Sequence, residues 1–501
     1  MSLLGLTVKG QALLPTPQQV EKQRGTFTPN PHRVVGMYAD NDSVIAAARH
    51  LLFRGYRFAK VLDRKKAVIV FKTNRAVAPE GYRLSVTTRK VTVEASSYPG
   101  FVYALQTLRQ LTGRARNGAV GVPCVNIHDQ PLMAWRGFML DSGRQYQTVD
   151  EIKHCLDLMS MLKMNRFHWH LTEGLGWRLY SERYPRLTSV GAYVGQHPGQ
   201  QGFYTHDDVR EIVGYARRLG IAVIPEIDLS GHSEAALTAY PQYSCFGIPP
   251  RIPDVGFTPA IFCAGKDSAM LFLKNVLAEV CDLFPSPYVH LGGDEAPKDH
   301  WDRCPDCQNR MTALQLHDTH ALQLWMAAEL ARYVGERGKT AIFYGDVVMQ
   351  EGYKLPQNAI IEWWSYRSKG DLEFKGARRE RLKVIGGTNY YNYLNFPLSP
   401  WRGYAKERTF GLRQAYTENP SYAAFVEHPE SMLGMECFLW TDYNLLPEMF
   451  AERLLPRILA LSEQMWHVGA LPHYDSFLAK VHGLRSWFGD NGWPYPDFET
   501  Q

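Results

Sequence analysis

Two adjacent acids, Asp294 and Glu295, stand directly behind a pair of glycines in the stretch YVHLGGDEAPKDHW, residues 288–301. The apolar residues before the glycines predict a short buried strand. Both carboxyl groups are therefore expected where this strand ends and a loop begins. Charged side chains are seldom buried without a partner, so the pair needs a chemical explanation. Neighbouring carboxyl groups are suited to moving protons and to stabilising positive charge in a reaction.

The elements that would position this pair are a series of β-rich runs, each followed by a helical pattern or a long loop. The runs are RGFMLD (136–141), FHWHLT (167–172), AVIPEID (222–228), YVHLGGDE (288–295), TAIFYGD (340–346), AIIEWW (359–364), KVIGGTN (383–389) and GMECFLWTD (434–442). Apolar residues at helical spacing predict helices after the first two runs, with Asp150 and either Asp207 or Asp208 as their N-caps. Strand and helix in alternation predict an α/β fold, a (β/α)8 TIM barrel.

A barrel of this kind carries its reactive groups at the carboxyl ends of its strands. In this sequence those ends are rich in acids and aromatic rings, namely Asp141, Glu173, Glu226, Asp228, His232, Asp294, Glu295, Asp346, Trp364, Trp440 and Asp442. A solvated face seldom combines carboxylates and tryptophan at this density. The strand ends are therefore predicted to form the functional site.

The first 130 residues show a different pattern of predicted strands and helices from the rest. KKAVIVFKT (65–73) and GYRLSVTTRKVTVEA (81–95) predict strands, and GFVYALQTLRQLTG (100–113) predicts a helix that Gly113 closes. This part contains no convincing constellation of reactive groups. The predicted organisation is a small α/β accessory domain over residues 1–130 and a catalytic barrel over residues 131–501.

Composition and charge restrict the classes of partner. The chain has 501 residues, is 45% hydrophobic and 21% charged, and carries a net charge of only +5. It has no basic run of the kind that binds nucleic acid, and no apolar run approaches the roughly 20 residues of a membrane span. The first 17 residues lack the basic start of a signal peptide. We expect a periplasmic or secreted protein whose signal has been removed, with a cytoplasmic protein as the alternative.

Several motifs, in their order along the chain, resemble those of the family 20 glycoside hydrolases, which are exo-acting β-N-acetylhexosaminidases. The motifs are HLGGDE (290–295), RGFMLD, NRFHWHLTEGLGWR (165–178), VIPEIDLSGH (223–232) and LWTDY (439–443), with LLPTPQQ and YALQTLRQL in the accessory domain. The resemblance implies release of terminal β-GlcNAc from a glycan, with β-GalNAc as a further candidate. It implies no cofactor and no metal, and it carries no prediction of oligomeric state.

The same resemblance implies a retaining, substrate-assisted mechanism in which the substrate's 2-acetamido group attacks and an oxazolinium forms. The residues agree with it, since two neighbours in sequence are badly placed to attack a sugar from opposite faces. Asp294 is expected to accept the amide N–H and stabilise the positive charge, and Glu295 to protonate the leaving oxygen. A raised pKa is expected for Glu295, because a like charge stands beside it in a partly desolvated site.

The walls around the acetamido group also follow from the resemblance. Tyr393 is implied as a catalytic residue that donates a hydrogen bond to the acetamido oxygen, with Tyr391 as the alternative two residues away. Trp364 and Trp440 are implied to confine the acetamido methyl group between aromatic faces.

The resemblance further implies residues that bind the hydroxyls of the terminal sugar. Arg136 is similar to an arginine that grips these hydroxyls, and His232 to a histidine that supports the acid. Four other substrate-binding positions depart from the family's usual residues: Glu173 replaces Asp, Asp442 replaces Glu, Tyr344 replaces Trp, and Asn395 stands where Asp is common.

Two alternatives come from other functional classes. A metal-dependent hydrolase would use His168 and His170, which alternation places on one face of a strand, with His232 and Asp294. A catalytically silent sugar-binding module would be expected to have lost Asp294 or Glu295, and both are present.

The eight cysteines do not decide the redox compartment. Cys304 and Cys307 form a CPDC stretch, but no second pair at zinc-finger spacing accompanies it. Cys245 and Cys263 flank a loop and would be able to pair in an oxidising compartment. Three further cysteines lie in apolar segments and are predicted to be inert core thiols, namely Cys155, Cys281 and Cys437.

Overall fold

The computed structural model describes residues 12–53, 55–114, 120–197, 199–252, 258–397 and 409–495. Residues 1–11, most of the stretch considered above as a signal peptide, lie outside the described residues. Within the described ranges, no helix combines the length and the apolar character that crossing a membrane requires.

The amino-terminal part of the described chain forms one mixed sheet with two helices. Its strands are β1 (Gln19–Phe27), β2 (Val35–Tyr38), β3 (Phe58–Lys60), β4 (Ile69–Thr73), β5 (Tyr82–Val86), β6 (Val91–Ala95), β7 (Gly113–Arg114) and β8 (Val120–Asp129), and its helices are α1 (Asp42–Leu51) and α2 (Tyr98–Leu111). The strand order is β1-β8-β5-β6-β4-β2-β3, with β7 beside β8. Helix α2 ends one residue before its C-cap Thr112, and Gly113 already belongs to β7, so the predicted glycine closure is wrong.

The rest of the described chain is built on a closed barrel of eight parallel strands, which confirms the predicted fold class. The strands are β9 (Trp135–Asp141), β10 (Arg166–His170), β13 (Ala222–Glu226), β14 (Tyr288–His290), β15 (Thr340–Tyr344), β16 (Ile360–Trp363), β17 (Lys383–Gly386) and β18 (Met432–Leu439). Strands β11 (Thr172–Glu173) and β12 (Gly176–Trp177) pair as a small separate ribbon. All seven residues of β9 are buried, as expected for a strand that is covered on both faces.

Helices surround the barrel and complete the strand–helix alternation. They are α3 (Val149–Met161), α4 (Arg186–Ser189), α5 (His206–Arg218), α6 (Glu234–Ala239), α7 (Asp267–Leu283), α8 (Asp299–Arg303), α9 (Pro305–Leu314), α10 (Thr319–Glu336), α11 (Tyr366–Lys369), α12 (Leu372–Arg379), α13 (Leu412–Thr417), α14 (Pro420–Glu427), α15 (Phe450–Leu454), α16 (Arg457–Trp466) and α17 (Tyr474–Asp490).

The predicted N-caps of α3 and α5 are wrong by two or three residues. Thr148 caps α3 and Thr205 caps α5, each in a reciprocal capping box with the acid three residues later. The predicted aspartates Asp150 and Asp207 instead lie in the first turn, where their charge complements the positive end of the helix.

A buried ion pair fastens the sheet to the barrel. Lys163, just before β10, lies 2.9 Å from the Asp129 carboxylate at the end of β8, and both side chains are buried. Tyr82 donates a hydrogen bond to the same carboxylate at 2.6 Å, and the Trp466 indole N–H donates to it at 2.9 Å. The amino-terminal sheet and the amino-terminal end of the barrel therefore share one polar core.

Candidate active site

The turn after β14 explains the glycine pair. Gly292 and Gly293 have φ of +62° and +98°, in the left-handed region that favours glycine. A Cβ at Gly292 would lie 1.7 Å from an oxygen of Asp228, and the Gly293 N–H donates to that same oxygen at 3.0 Å. The chain therefore wraps tightly around Asp228, and the two acids that follow are presented in different surroundings.

Asp294 and Glu295 occupy unequal positions in this turn. The Asp294 side chain is 12% exposed, whereas the Glu295 side chain is 42% exposed. Glu295 has φ of +46°, and its backbone N–H donates to Asp346 at 3.4 Å. One carboxyl group therefore lies inside the site, and the other lies at its mouth.

His232 connects the two acids to a third. Its Nδ1 lies 2.6 Å from Oε1 of Glu173, and its Nε2 lies 3.6 Å from one oxygen each of Asp294 and Glu295. Burial would lower the pKa of His232, but the charges of Glu173 and Asp294 outweigh it and raise that pKa well above its usual range. The structure thus brings together four predicted residues and places the imidazolium of His232 beside the two adjacent acids.

The pKa of Glu295 shifts in the direction opposite to the predicted one. Burial raises the pKa of Asp294 to about 6, against the lowering effect of His232. The hydrogen bond from His232 holds the pKa of Glu295 below its usual range. The rise in pKa that was expected for Glu295 occurs instead at Asp294, the more buried of the two acids.

Three aromatic residues form the wall beside Asp294. The rings of Trp364 and Tyr393 lie 6.4 Å apart and nearly parallel, and Trp440 lies 6.0 Å from Tyr393. Burial raises the pKa of Tyr393, and the Asp294 charge raises it further, so its hydroxyl keeps its proton. Tyr391 packs its ring edge-on against Tyr366 instead, which favours Tyr393 over Tyr391.

Asp346 and Lys369 hold the outer edge of this wall. The Trp364 indole N–H donates to Asp346 at 2.7 Å, and the Lys369 ammonium donates to the other oxygen at 2.7 Å. The same ammonium lies 5.4 Å from the centre of the Trp364 ring. Asp346 was predicted only as a strand-end acid. Lys369, six residues after the end of β16, was not predicted.

A polar group marks the other end of the site. Arg144 contacts Asp141 at 2.9 Å and Glu173 at 2.5 Å, and its guanidinium lies 5.1 Å from the centre of the Trp440 ring. Asn395 donates a hydrogen bond to Asp442 at 3.3 Å. The Asp442 charge, after those of Glu173 and Asp141, raises the pKa of Arg144, although burial opposes it. Glu173, Asp442 and Asn395 are therefore gathered around one arginine.

The arginine of the site is Arg144, and the prediction that Arg136 binds the sugar hydroxyls is wrong. Arg136 is 1% exposed and lies at the start of β9, the opposite end of the strand from Asp141. Five residues of strand span about 16 Å, so its side chain cannot reach the site. It donates instead to Glu80 at 2.7 Å and to the Tyr103 hydroxyl at 2.9 Å, both in the amino-terminal part.

Paired substitutions at these arginines test the correction. Arg144→Ala is expected to lower kcat/KM by about 10²-fold, because hydrogen bonds with charged groups contribute about 1.5–3 kcal/mol each. Arg136→Ala is expected to leave kcat/KM unchanged and to lower the free energy of unfolding by about 3 kcal/mol, since Glu80 loses its ion-pair partner. Steady-state kinetics and denaturant unfolding of both variants measure this. A reversed pattern would return the binding role to Arg136.

Tyr344 lies one layer deeper than predicted. It is 1% exposed, and its hydroxyl donates to Glu226 in the barrel interior at 3.3 Å. Its ring packs against His290 at 4.4 Å and lies 6.4 Å from Trp440. Tyr344 supports the aromatic wall, and a direct contact of Tyr344 with substrate stays a prediction.

The residues of the metal-hydrolase alternative do not converge on one point. Both ring nitrogens of His168 face carboxylates inside the barrel, with Glu436 at 2.6 Å and Glu226 at 2.9 Å. His170 also pairs with Glu226, whereas His232 and Asp294 lie at the rim. In the described part of the chain, His168 groups with His290 and Glu362, whereas His232 and Asp294 form a separate group with Asp228.

Comparisons with known proteins agree with this site. The model of the catalytic domain of glycosyl hydrolase family 20 matches residues 133–468, and the model of that family's domain 2 matches residues 10–130. A beta-hexosaminidase of Porphyromonas gingivalis is 38% identical over 418 residues, 80% of this chain. The match spans 52% of that relative, so the chain corresponds to about half of its length.

Solved structures extend the comparison over nearly the whole chain. The beta-N-acetylhexosaminidase of Bacteroides fragilis NCTC 9343 is 48% identical with a TM-score of 0.93, covering 97% of both chains. The exo beta-N-acetylglucosaminidase of Vibrio harveyi, solved with N-acetylglucosamine, is 27% identical with a TM-score of 0.86, covering 97% of this chain and 78% of that one. With both family models matched in order along one barrel and its accessory sheet, the chain belongs to glycosyl hydrolase family 20, as the resemblance implied.

Proposed function

We propose that this chain is an exo-acting β-N-acetylhexosaminidase that releases terminal β-GlcNAc with retention of configuration. The observation that carries the proposal is the unequal placement of Asp294 and Glu295, one buried beside an aromatic wall and the other open at the mouth. Adjacent residues so placed address two different atoms of one substrate. The relatives named beta-hexosaminidase support the same activity.

The buried side of the site suits a nucleophile that the substrate brings. The 2-acetamido carbonyl oxygen would attack C1, forming a C–O bond while the bond from C1 to the leaving oxygen breaks. Positive charge then develops on the amide, where the Asp294 carboxylate accepts the N–H. A fixed charge in a water-poor pocket stabilises such a transition state far more than it would in water. Tyr393, with its proton retained, donates to the acetamido oxygen, and Trp364 and Trp440 enclose the methyl group.

The open side suits proton donation to the departing group. Glu295 lies at the mouth, where the remainder of the glycan would leave, and it would give its proton to the leaving oxygen. In the free protein the pKa of Glu295 is lowered by His232. A bound sugar would cover this carboxyl group and displace its water, which favours the protonated form. The same carboxylate then accepts a proton from the water that opens the oxazolinium.

The polar end of the site suits a terminal sugar. Arg144, Asp442 and Asn395 supply the donors and acceptors that sugar hydroxyls need, beside the Trp440 ring. The Vibrio harveyi relative, an exo enzyme solved with N-acetylglucosamine, supports this reading. The partner is therefore a glycan with a terminal N-acetylhexosamine.

Digestion of chitotriose labelled at its reducing end tests the proposal. Exo-action predicts GlcNAc and labelled chitobiose as the first products, and retention predicts that the released GlcNAc appears first as its β-anomer. Chromatography and rapid proton NMR measure these separately. Unlabelled chitobiose as the first released product, or α-GlcNAc as the first anomer, would contradict the proposal.

We also propose that the enzyme works outside the cytoplasm, in the periplasm or after secretion. The support is chemical, because glycans large enough to present a terminal GlcNAc on a longer chain do not cross a membrane unaided. Fractionation of the native host with an antibody against this chain tests the proposal, and recovery in the cytoplasmic fraction alone would reject it.

A further inference from the structure

Four cysteines from two separate segments converge at one buried point, and one of these segments follows the two adjacent acids in the chain. Cys245 and Cys263 come from the segment between α6 and α7, and Cys304 and Cys307 from the segment after Glu295. All four are buried, and their sulfur atoms lie within 4.8 Å of one another. We propose that these four thiolates bind a structural zinc ion.

The distances between sulfur atoms match a tetrahedral metal site. Cys263 lies 3.7 Å from Cys304 and 3.6 Å from Cys307, and Cys245 lies 4.0 Å from Cys307. Four sulfurs at about 2.3 Å from one zinc ion would be separated by about 3.8 Å along each edge of a tetrahedron. The observed separations lie on either side of that value.

The arrangement is not that of two disulfides. A disulfide bond holds two sulfurs at about 2.05 Å and excludes other sulfurs from the pair. In this cluster Cys307 approaches both Cys245 and Cys263, and Cys263 approaches both Cys304 and Cys307. Each of these two sulfurs therefore lies close to two others, as sulfur ligands of one metal ion do.

The backbone around the cluster brings the ligands in from two sides. Ser244 and Phe262 form a β-bridge, which aligns the cysteines that follow each of them. On the other side, Cys304 is the N-cap of α9 and Cys307 lies in its first turn, where the helix stabilises thiolate charge. A Cβ at Gly265 would lie 2.3 Å from the Cys307 nitrogen, so the two segments pack in direct contact there.

The ligand set and the position decide the kind of metal site. A closed shell of four thiolates is typical of structural zinc, because a catalytic zinc keeps one position open for water. The site would join the segment after α6 to the chain nine residues beyond Glu295. It would therefore fix the loop that carries both acids without entering the reaction.

Metal analysis of the full chain tests the inference, with purification that avoids metal-chelate columns. We expect about one zinc ion per chain, released when a mercurial reagent modifies the thiols. Replacement by cobalt is expected to give the intense visible bands and the sulfur-to-cobalt charge-transfer absorption of a tetrahedral thiolate site. Iron in place of zinc, two disulfides found by mass spectrometry, or four thiols that alkylate freely in protein without metal would each overturn the inference.

Matched cysteine variants complete the experiment. Cys304→Ser with Cys307→Ser is expected to lower zinc content to less than about a tenth of the wild-type value and to lower Tm, since zinc binding contributes to folding. Cys281→Ser, which removes a buried thiol of α7 outside the cluster, is expected to keep the zinc. Should the double variant fail to fold, the cobalt spectrum of the wild type decides, and a spectrum without tetrahedral thiolate bands would overturn the inference. Equal zinc in the double variant and the control would do the same.

Discussion

The aryl β-glucoside is expected to be hydrolysed on the order of 10⁵-fold more slowly than the matching aryl β-GlcNAc. The proposed mechanism takes its nucleophile from the acetamido group, and a hydroxyl at C2 cannot replace it. Well-oriented intramolecular groups reach effective molarities of about 10⁵ M or more, which sets the size of the loss. The comparison keeps the aglycone constant and measures kcat/KM for both sugars.

A series of fluorinated substrates and one inhibitor make this comparison specific for the nucleophile. Fluorine atoms on the acetamido methyl withdraw electrons from the carbonyl oxygen, so kcat/KM should fall with each added fluorine. A thiazoline mimic of the cyclised intermediate should inhibit strongly, because it is held as the oxazolinium would be. Comparable rates on glucoside and GlcNAc substrates would reject substrate assistance, and with it the role given to the aromatic wall.

Substitutions of the two adjacent acids are expected to lower kcat/KM with different dependence on the leaving group. Asp294→Ala should lower kcat/KM by about 10³-fold on every substrate, since charge on the oxazolinium develops whatever group leaves. Glu295→Gln should lower kcat/KM by about 10²- to 10⁴-fold on chitobiose. It should have little effect on aryl substrates with acidic phenols, which depart without a proton. The slope of log kcat/KM against leaving-group pKa measures the difference.

The control for both variants is Glu427→Gln, an exposed carboxylate at the end of α14. It removes one negative charge from the chain without touching the site, so its slope should equal that of the wild type. If Asp294→Ala and Glu295→Gln gave the same slope, the division of labour between the buried and the exposed acid would be wrong.

Sequence periodicity was sufficient to predict the barrel but not to predict where its strands and helices begin and end. The eight β-rich runs are the eight barrel strands, yet the run from Tyr288 ends as a strand at His290, because the glycines need positive φ to wrap around Asp228. The helix starts were missed for a local reason. Thr148 and Thr205 each have an acid three residues later, a capping-box signal that outweighs an aspartate in the first turn.

The wrong choice of arginine for the site has a different cause, namely the end of β9 at which each arginine lies. Arg136 stands in the motif that carries the family resemblance, but a motif does not say which end of its strand faces the substrate. Arg144 stands three residues after the strand end at Asp141, and the rule that barrels react at strand ends would have favoured it.

The remaining features depend on contacts between residues distant in sequence. The lowered pKa of Glu295 comes from His232, 63 positions away along the printed sequence. The cysteine cluster joins a CPDC stretch to two residues that precede it by some 40 to 60 positions. Spacing rules for zinc sites look for a second short pair, and here the second pair is split by a long loop.

The buried pairing of Lys163 with Asp129 makes the stability of the barrel depend on the amino-terminal sheet. A gene shortened to the barrel would leave this lysine, and Arg136 beside it, buried without the acids that neutralise them. Removing one member of a buried ion pair costs about 3–5 kcal/mol, a large part of the roughly 5–15 kcal/mol that keeps a protein folded. The sheet is assigned no group in the proposed reaction, yet a barrel produced without it is expected to lose much of its free energy of unfolding.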